Sequence, residues 1–421
     1  AVLSQVDKMA AQGLRVLGVA EARFTVTDYP KDQEEFTLQF LGLVAFHDPP
    51  KADIAKVFQQ FYDAGIAVKI ITGDNALTTA AIAQQTGFRG TEKSINGDDM
   101  MQLDDAALRI AVNNTNIFTR MFPEAKLRII RALQAEGHVV AMTGDGVNDG
   151  PALKAAHIGI AMGQRGSELA KESAALILVN DDLAKMVDAV AMGRKIYSNL
   201  KKAIQYIISI HIPIILTVAL PLFLGWVYPN IFTPLHVIFL ELIMGPTCSI
   251  VYENEPLEKD GMRRPPRPLS LTFLTWRELS ISIWQGLVIT LGTLGMYQLA
   301  VRQGHSEQLV RAMVFSTLVI ANIGLTLVNR SFTASLLSTF THRNTLLRIM
   351  LLLTIALLAG LLYVPLFRDF FQLASPSLRQ FGTAAFIGLA SVAWSEVYKW
   401  AKRARAARAV VRSTGRESSL Q

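Results

Sequence analysis

The chain has 421 residues, enough for two or three domains, and 51% of them are hydrophobic. A single cysteine, Cys248, excludes an internal disulfide framework and a cysteine-based zinc centre. The net charge of +7 would suit a nucleic-acid partner, but the basic residues cluster beside apolar segments, which points to membrane topology instead. Residues 1–20 are amphipathic and charged, carry no signal-peptide pattern, and read as the interior of a domain. Charge is distributed at ordinary globular density up to about residue 195, and long apolar runs follow.

In chain order, the apolar run Ala67 to Thr72 ends in Gly73-Asp74, and Asn75 caps a helix predicted over 76–85 that Gly87 ends. A polar insertion over 89–105 follows, its acidic part Gly97 to Asp105 expected as a solvated face, and then a helix near 106–112. Ile117-Phe118-Thr119 reads as a strand. Pro123 opens a helix over 124–136 and Gly137 closes it. Further strands are expected at 139–143, 158–162 and 175–179, with a helix at 151–156. Strands alternating with helices imply a parallel sheet covered on both faces, with ligands at the carboxyl ends of the strands. Thr72, Asp74, Asp145 and Asp149 all fall at that edge.

The densest motif is Met142-Thr143-Gly144-Asp145-Gly146-Val147-Asn148-Asp149-Gly150-Pro151. It sets two carboxylates four residues apart on a glycine-hinged loop between a strand and a helix. Two hard oxygen donors beside a strand end suit Mg2+ and a phosphoryl group. His138 and His157 lack a metal-ligand pattern and read as structural.

Asn180 and Asp181 are expected to cap a helix that runs through Val187, Ile196 and Leu200, past Lys201 and Lys202, into the apolar run 204–224. A bilayer span takes about 20 apolar residues. Six candidates occur, near 203–224, 232–251, 278–300, 310–328, 346–367 and 381–399. Loops on one side carry Lys259, Arg263, Arg264, Arg267 and Arg277, then Arg330, Arg343 and Arg348. The tail on that side adds Lys399, Lys402, Arg403, Arg405, Arg408 and Arg412. The other side has Arg302, Arg311, Arg368 and Arg379. This asymmetry places the soluble part and the C-terminus in the cytoplasm, with the basic tail solvated or against anionic membrane lipid.

Polar groups inside spans are expensive, so each is a site candidate. Glu241 is the clearest, with Gly245-Pro246 following to loosen its helix and free backbone carbonyls. His211, two residues before Pro213, is the second candidate, with a hydrogen-bonded core histidine as its bland alternative. Asn322 and Gln285 read as ligands or as helix–helix contacts.

The Thr143-Gly144-Asp145-Gly146-Val147-Asn148-Asp149 loop resembles the hinge signature of the P-type ATPases, cation pumps that phosphorylate themselves on an aspartate. Thr72-Gly73-Asp74-Asn75, Arg120-x-x-Pro123-x-x-Lys126 and Asp48-Pro49-Pro50-Lys51 resemble three more motifs of that family, nearest its calcium-pump-like branch. The resemblance implies a haloacid-dehalogenase-like α/β domain followed by a six-helix all-α membrane bundle. The implied divisions are the end of a nucleotide-binding domain at 1–45, a phosphorylation domain at 46–185, and a stalk and membrane domain at 186–421. It implies ATP and Mg2+ as cofactors. It also implies a transported cation as partner and a missing N-terminal half, because the family's Asp-Lys-Thr-Gly-Thr motif occurs nowhere in the chain.

Phosphoryl chemistry assigns roles to these residues. Asp145 is the expected Mg2+ ligand, with Asp149 completing its shell or holding its waters. Lys126 supplies positive charge, Thr72 and Asn148 donate hydrogen bonds, and Asp74, with Gly73 beside it, orients the nucleotide-bound state. By resemblance, Arg120 contacts nucleotide or bridges domains as the site closes, and Arg15 aligns with a nucleotide-phosphate arginine of calcium pumps. The family has asparagine at the position of Glu241 and aspartate at Gly245, asparagine and glutamate at His211 and Ile214, and glutamate at Val328. These departures leave one clear membrane carboxylate, which suits a single divalent ion, or protons carried by Glu241 with His211. A catalytically silent partner protein and a membrane-anchored phosphatase are the other readings.

Overall fold

The structure is a computed structural model that describes residues 2–23, 32, 35–258, 260–268, 272–331, 335 and 344–417. Lys259 and Arg343, both counted in the charge asymmetry, lie outside the described residues. The chain forms two compact units, Ala1–Ala191 with Met262–Leu271, and Met192–Gly261 with Thr272–Gln421.

The first unit opens with helix α1 (Val2–Ala10) and an antiparallel ribbon, β1 (Arg15–Glu21) with β2 (Gln39–Phe46). Leu17, Phe40, Val44 and Phe46 remain exposed on that ribbon. Helix α2 (Ile54–Asp63) and the short strand β3 (Ile70–Ile71) follow. Helix α3 (Ala76–Gln85) starts where expected, with the Asn75 side chain accepting from Thr78 N. Gly87 ends that segment at φ 67°, a conformation in which a side chain is strained. The polar insertion is more structured than expected. It holds β4 (Ser94–Asn96) and α4 (Gly97–Gln102), because Ile95 pairs with Phe118 and Asn96 caps the helix.

Helix α5 (Asp105–Asn114), β5 (Ile117–Thr119), α6 (Pro123–Ala135) and β6 (Ala141–Gly144) come next. They are followed by α7 (Gly150–Ala155), β7 (Ile158–Met162), α8 (Glu168–Ser173) and β8 (Leu176–Leu178). The strands form two three-stranded parallel sheets, in the orders β3-β5-β4 and β6-β7-β8, rather than one. One buried cluster serves both: Phe118 of the first sheet and Met142 and Ala161 of the second pack with Ile129, Leu133 and Leu153. Each large apolar side chain so buried contributes roughly 1.5–3 kcal/mol.

Asp181 does not cap the next helix. Its carboxylate accepts from the backbone N–H groups of Gln164 and Arg165, while Asp182 accepts from Ala184 N at the helix start. That helix, α9 (Ala184–Phe223), begins in the first unit and continues into the second.

The second unit continues with α10 (Pro234–Pro246), a π turn over Thr247–Val251, α11 (Trp276–Arg302), α12 (Glu307–Val328), α13 (Thr345–Tyr363), α14 (Pro365–Phe370) and α15 (Leu378–Glu417). Among the described residues four helices are long and apolar enough to cross a membrane: α9, α11, α12 and α13. The expected span at 232–251 is a 13-residue helix that gives way to the π turn after Gly245-Pro246. The expected span at 381–399 lies within α15, a long helix that is not among those four.

Helix α12 is the centre of the bundle, buried along most of its length. Small residues permit the closest approaches. A Cβ on Gly286 of α11 would meet Ser209 O of α9 at 2.8 Å, and one on Gly388 of α15 would meet Thr317 O of α12 at 2.7 Å. Arg330 and Lys399, read from the sequence as topology charges, are instead buried and paired with Glu255 and Glu396.

Candidate functional site

The first site loop leaves β3. Thr72 N donates to Phe118 O at 2.9 Å, which extends the pairing of β3 with β5 by one residue. The Thr72 hydroxyl accepts from Asp74 N at 3.1 Å and donates to Asp74 Oδ2 at 3.3 Å, closing a tight turn around Gly73. Nothing lies within 4 Å of a Cβ built on Gly73, so this side of the turn is open. Two backbone bonds join the turn to the segment after β5: Arg120 N to Asp74 O at 3.0 Å and Met121 N to Thr72 O at 2.9 Å. Arg120 adopts φ 51°, a left-handed conformation unusual for a residue with a side chain. Its carbonyl sits where a Cβ on Gly97 would be, at 2.5 Å, so position 97 has room only for glycine. Sequence reading missed Gly97, which lies outside every motif.

Two residues past that turn, Pro123 starts α6, and Lys126 sits in its first turn. Lys126 Nζ reaches Asp149 Oδ1 at 2.7 Å, with the two side chains only 13% and 9% exposed. The other oxygen, Asp149 Oδ2, accepts from Gly146 N at 3.2 Å. Both oxygens of Asp149 are thus engaged. Asp145 and Asn148 are exposed, and the Asp145 carbonyl is fixed by Ser167 N at 2.8 Å. Gly144 is demanded by packing, because its Cβ would stand 2.5 Å from Asp149 Cβ.

A continuous path of contacts therefore links the Thr72 turn, the Arg120–Met121 segment, Lys126 and the Asp149 loop. Arg15 is not brought into it. It lies exposed on β1 opposite Phe46, next to Leu14, whose carbonyl accepts from Thr78 Oγ1 of α3 at 3.2 Å.

Among the described residues no three His, Cys, Asp or Glu side chains converge as a closed metal cage. The donor set is one free carboxylate, Asp145, beside a second already held by a lysine. That set fits an ion which keeps most of its waters and takes one or two carboxylates together with phosphate oxygens, as Mg2+ does. His138 and His157 stay structural: His157 Nδ1 accepts from Val140 N at 3.1 Å and His138 meets Asn113 at 3.0 Å.

In the second unit the structure brings the two membrane candidates into contact, His211 Nε2 to Glu241 Oε1 at 3.1 Å, both roughly half exposed. His211 Nδ1 lies 2.8 Å from Ile207 O. Pro213 and Pro246 lack an N–H, so the carbonyls four residues before each have no helical donor. Asn322 and Gln285 are helix–helix contacts: the Tyr206 hydroxyl donates to Asn322 Oδ1, and Gln285 bonds Ser209, Asn329 and Ser395.

The comparisons with known proteins agree with this architecture. Residues 9–157 match the haloacid dehalogenase-like hydrolase family, and residues 229–401 match the C-terminus of cation transporting ATPases. Calcium-transporting ATPase 1 of Bacillus cereus is 30% identical over 419 residues, 96% of this chain and 47% of that protein. Calcium-transporting ATPase 1 of Yarrowia lipolytica is 31% identical over 378 residues, 89% of this chain and 40% of that one. The human calcium-transporting ATPase type 2C member 1 is 33% identical over 329 residues, 78% of this chain and 34% of that one. The chain spans less than half the length of these relatives. With its hydrolase-type site loops, its apolar helices and both family regions in that order, the chain belongs to the P-type cation-transporting ATPases.

Proposed function

We propose that this chain supplies the phosphate-side residues and six membrane helices of an ATP-driven cation pump that works through an aspartyl-phosphate. The observation that carries this reading is one glycine-hinged loop that bears an exposed Asp145 and, four residues on, Asp149 buried against Lys126 of α6. Asp145 would hold Mg2+, with Asp149 at its waters; when bound, that ion neutralises charge on the transferred phosphoryl oxygens. Lys126 holds a fixed ammonium beside the loop, Asn148 and the Thr72 hydroxyl, once turned from Asp74, would supply hydrogen-bond donors, and the open face over Gly73 admits a phosphate. Asp74, Arg120 and Arg15 serve the nucleotide-bound state.

The acceptor aspartate is not within these 421 residues. Strands β3 and β6 each end a sheet and each lead into a site loop. A further parallel strand beside either would deliver its last residue to the same edge, where an acceptor carboxylate is needed. In this reading residues 1–45 close a nucleotide-binding domain, 46–185 form the phosphorylation domain, and 186–421 form the membrane domain. The basic loops and tail support a cytoplasmic side for the soluble parts, with the helices in the cell membrane, against lipid.

Glu241 and His211 face the transported cation, a divalent one such as calcium, the cargo named for the relatives. The contact of an imidazole with a carboxylate favours a second reading, in which protons or another monovalent cation are carried. Uptake by inverted membrane vesicles, screened cation by cation, tests both. ATP-driven Ca2+ uptake abolished by Glu241→Gln is expected. Uptake of no cation, with or without a pH gradient, refutes the pump.

A further inference from the structure

The helix that carries Glu241 is poorly held by its own backbone. Pro246 donates no hydrogen bond, and α-helical pairing then lapses into the π turn over Thr247–Val251. What holds its far end is a set of buried side-chain bonds on residues 251–258. Lys202 of α9, 1% exposed, pairs with Glu258 at 3.4 Å. Arg330, just past α12, pairs with Glu255 at 2.9 Å, the two side chains 2% and 5% exposed. Asn344 donates to Glu255 Oε1 at 2.8 Å and to Val251 O at 3.2 Å. Asn199 of α9 donates to Glu255 O at 2.7 Å, and Tyr252 stacks at a tilt on Tyr206 of α9, ring centres 5.4 Å apart.

These contacts have a direction. Lys202, Asn199 and Tyr206 lie on the helix that bears His211, five to twelve residues before it. Glu255 and Glu258 lie on the segment that continues the helix bearing Glu241. Within this unit, therefore, the segment beyond the helix of Glu241 is tied across the π turn to the helix of His211 by Lys202–Glu258 and Asn199, and to the end of α12 by Arg330–Glu255. We propose that Glu255 and Glu258 are positioning residues: paired with Arg330 and Lys202, they keep Glu241 in register with His211. Buried ion pairs are weak evidence for stability but well suited to fixing register, because any slip strands a charge in an apolar surround.

The inference rests on the proposed pump only for its consequence, so its test has a readout independent of transport. In the full-length protein, in native membranes and a Cys248→Ser background, His211→Cys with Glu241→Cys is oxidised and the rate of disulfide formation followed. The apolar double substitution Glu255→Met with Arg330→Met removes both charges of the pair together, and helix content is checked by circular dichroism. Slowing of the cross-link by about fivefold or more, with helix content retained, is expected. An unchanged rate overturns the inference. If the double variant fails to fold, Glu258→Gln with Lys202→Met is read the same way, with the same two outcomes. In the vesicle assay with His211 and Glu241 intact, the same clamp variants should raise the cation concentration for half-maximal turnover by a similar factor while changing the maximal rate less than twofold. A fall in maximal rate alone would mark a merely structural role and overturn the inference. Absence of turnover in the wild type refutes the pump reading alone, and the cross-linking result still decides the positioning.

Discussion

Replacing Gly144 by alanine isolates the packing that aims Asp149. The new Cβ would lie 2.5 Å from Asp149 Cβ, 2.8 Å from Cγ and 2.9 Å from Oδ2. Ordinary contact begins near 3.4 Å, so the Asp149 side chain must retreat by roughly 0.9 Å. It has no slack for this. Oδ1 is bonded to Lys126 at 2.7 Å and Oδ2 to Gly146 N at 3.2 Å, and the retreat takes at least one of them out of range. Overpacking of this kind costs about 1–3 kcal/mol.

Gly73→Ala is the matched control, because nothing lies within 4 Å of its Cβ and its φ is not positive. Amide hydrogen exchange over residues 140–162 measures the difference. Gly144→Ala should speed exchange there by about tenfold or more, and Gly73→Ala should not. In the full-length enzyme a misplacement near 1 Å should also cost about a hundredfold in turnover. Equal exchange in the two variants would refute the packing argument.

Two further outcomes follow from the first unit. Asn75→Ala removes the acceptor for Thr78 N and should weaken α3 by about 1 kcal/mol, read as faster amide exchange over residues 76–85. The Asp181 carboxylate is held below its ordinary range chiefly by the Gln164 N–H, with the Arg165 N–H also contributing. A depressed carboxylate contributes stability that is present above the unfolded-state pKa, about 3.9, and is lost as pH falls through the folded value. Amide hydrogen exchange followed through an acid titration should therefore show the loop around Gly163 loosening below about pH 4 in the wild type. Asp181→Asn should remove that pH dependence; an unaltered acid transition would contradict the assignment.

Much of the first unit was legible because its boundaries are local. Asn75 with Gly87 and Pro123 with Gly137 punctuate helices by capping chemistry, and Ile158–Met162 is a strand with the bounds the sequence implied. What escaped was tertiary. Ser94–Asn96 is a strand only because Ile95 finds Phe118 across the sheet, and no period in three residues announces that. Asp181 looked like a helix cap, yet two amides from the Gly163 loop claim it. The break into two sheets depends on which strands are neighbours, which a one-dimensional pattern does not encode.

At the site, the motif named Asp145, Asp149 and Lys126 separately. That Lys126 and Asp149 form one buried pair needed coordinates, as did the reason for glycine at 97 and 144. In the membrane unit hydropathy found the apolar stretches but not that Pro246 and the π turn shorten one of them. Composition likewise gave no sign that Arg330 and Lys399 turn inward to carboxylate partners.

The central claim is that Asp145 and the Lys126–Asp149 pair serve an aspartyl-phosphate cycle. The most direct measurement is acid-quenched phosphoenzyme formation from radiolabelled ATP by the full-length protein in its own membranes, with Mg2+ and each candidate cation in turn. The account predicts a cation-dependent, hydroxylamine-sensitive phosphoenzyme that Asp145→Asn reduces by about a hundredfold or more in its rate of formation. A phosphoenzyme of unaltered rate in Asp145→Asn, or none from the wild type with any cation, would contradict it.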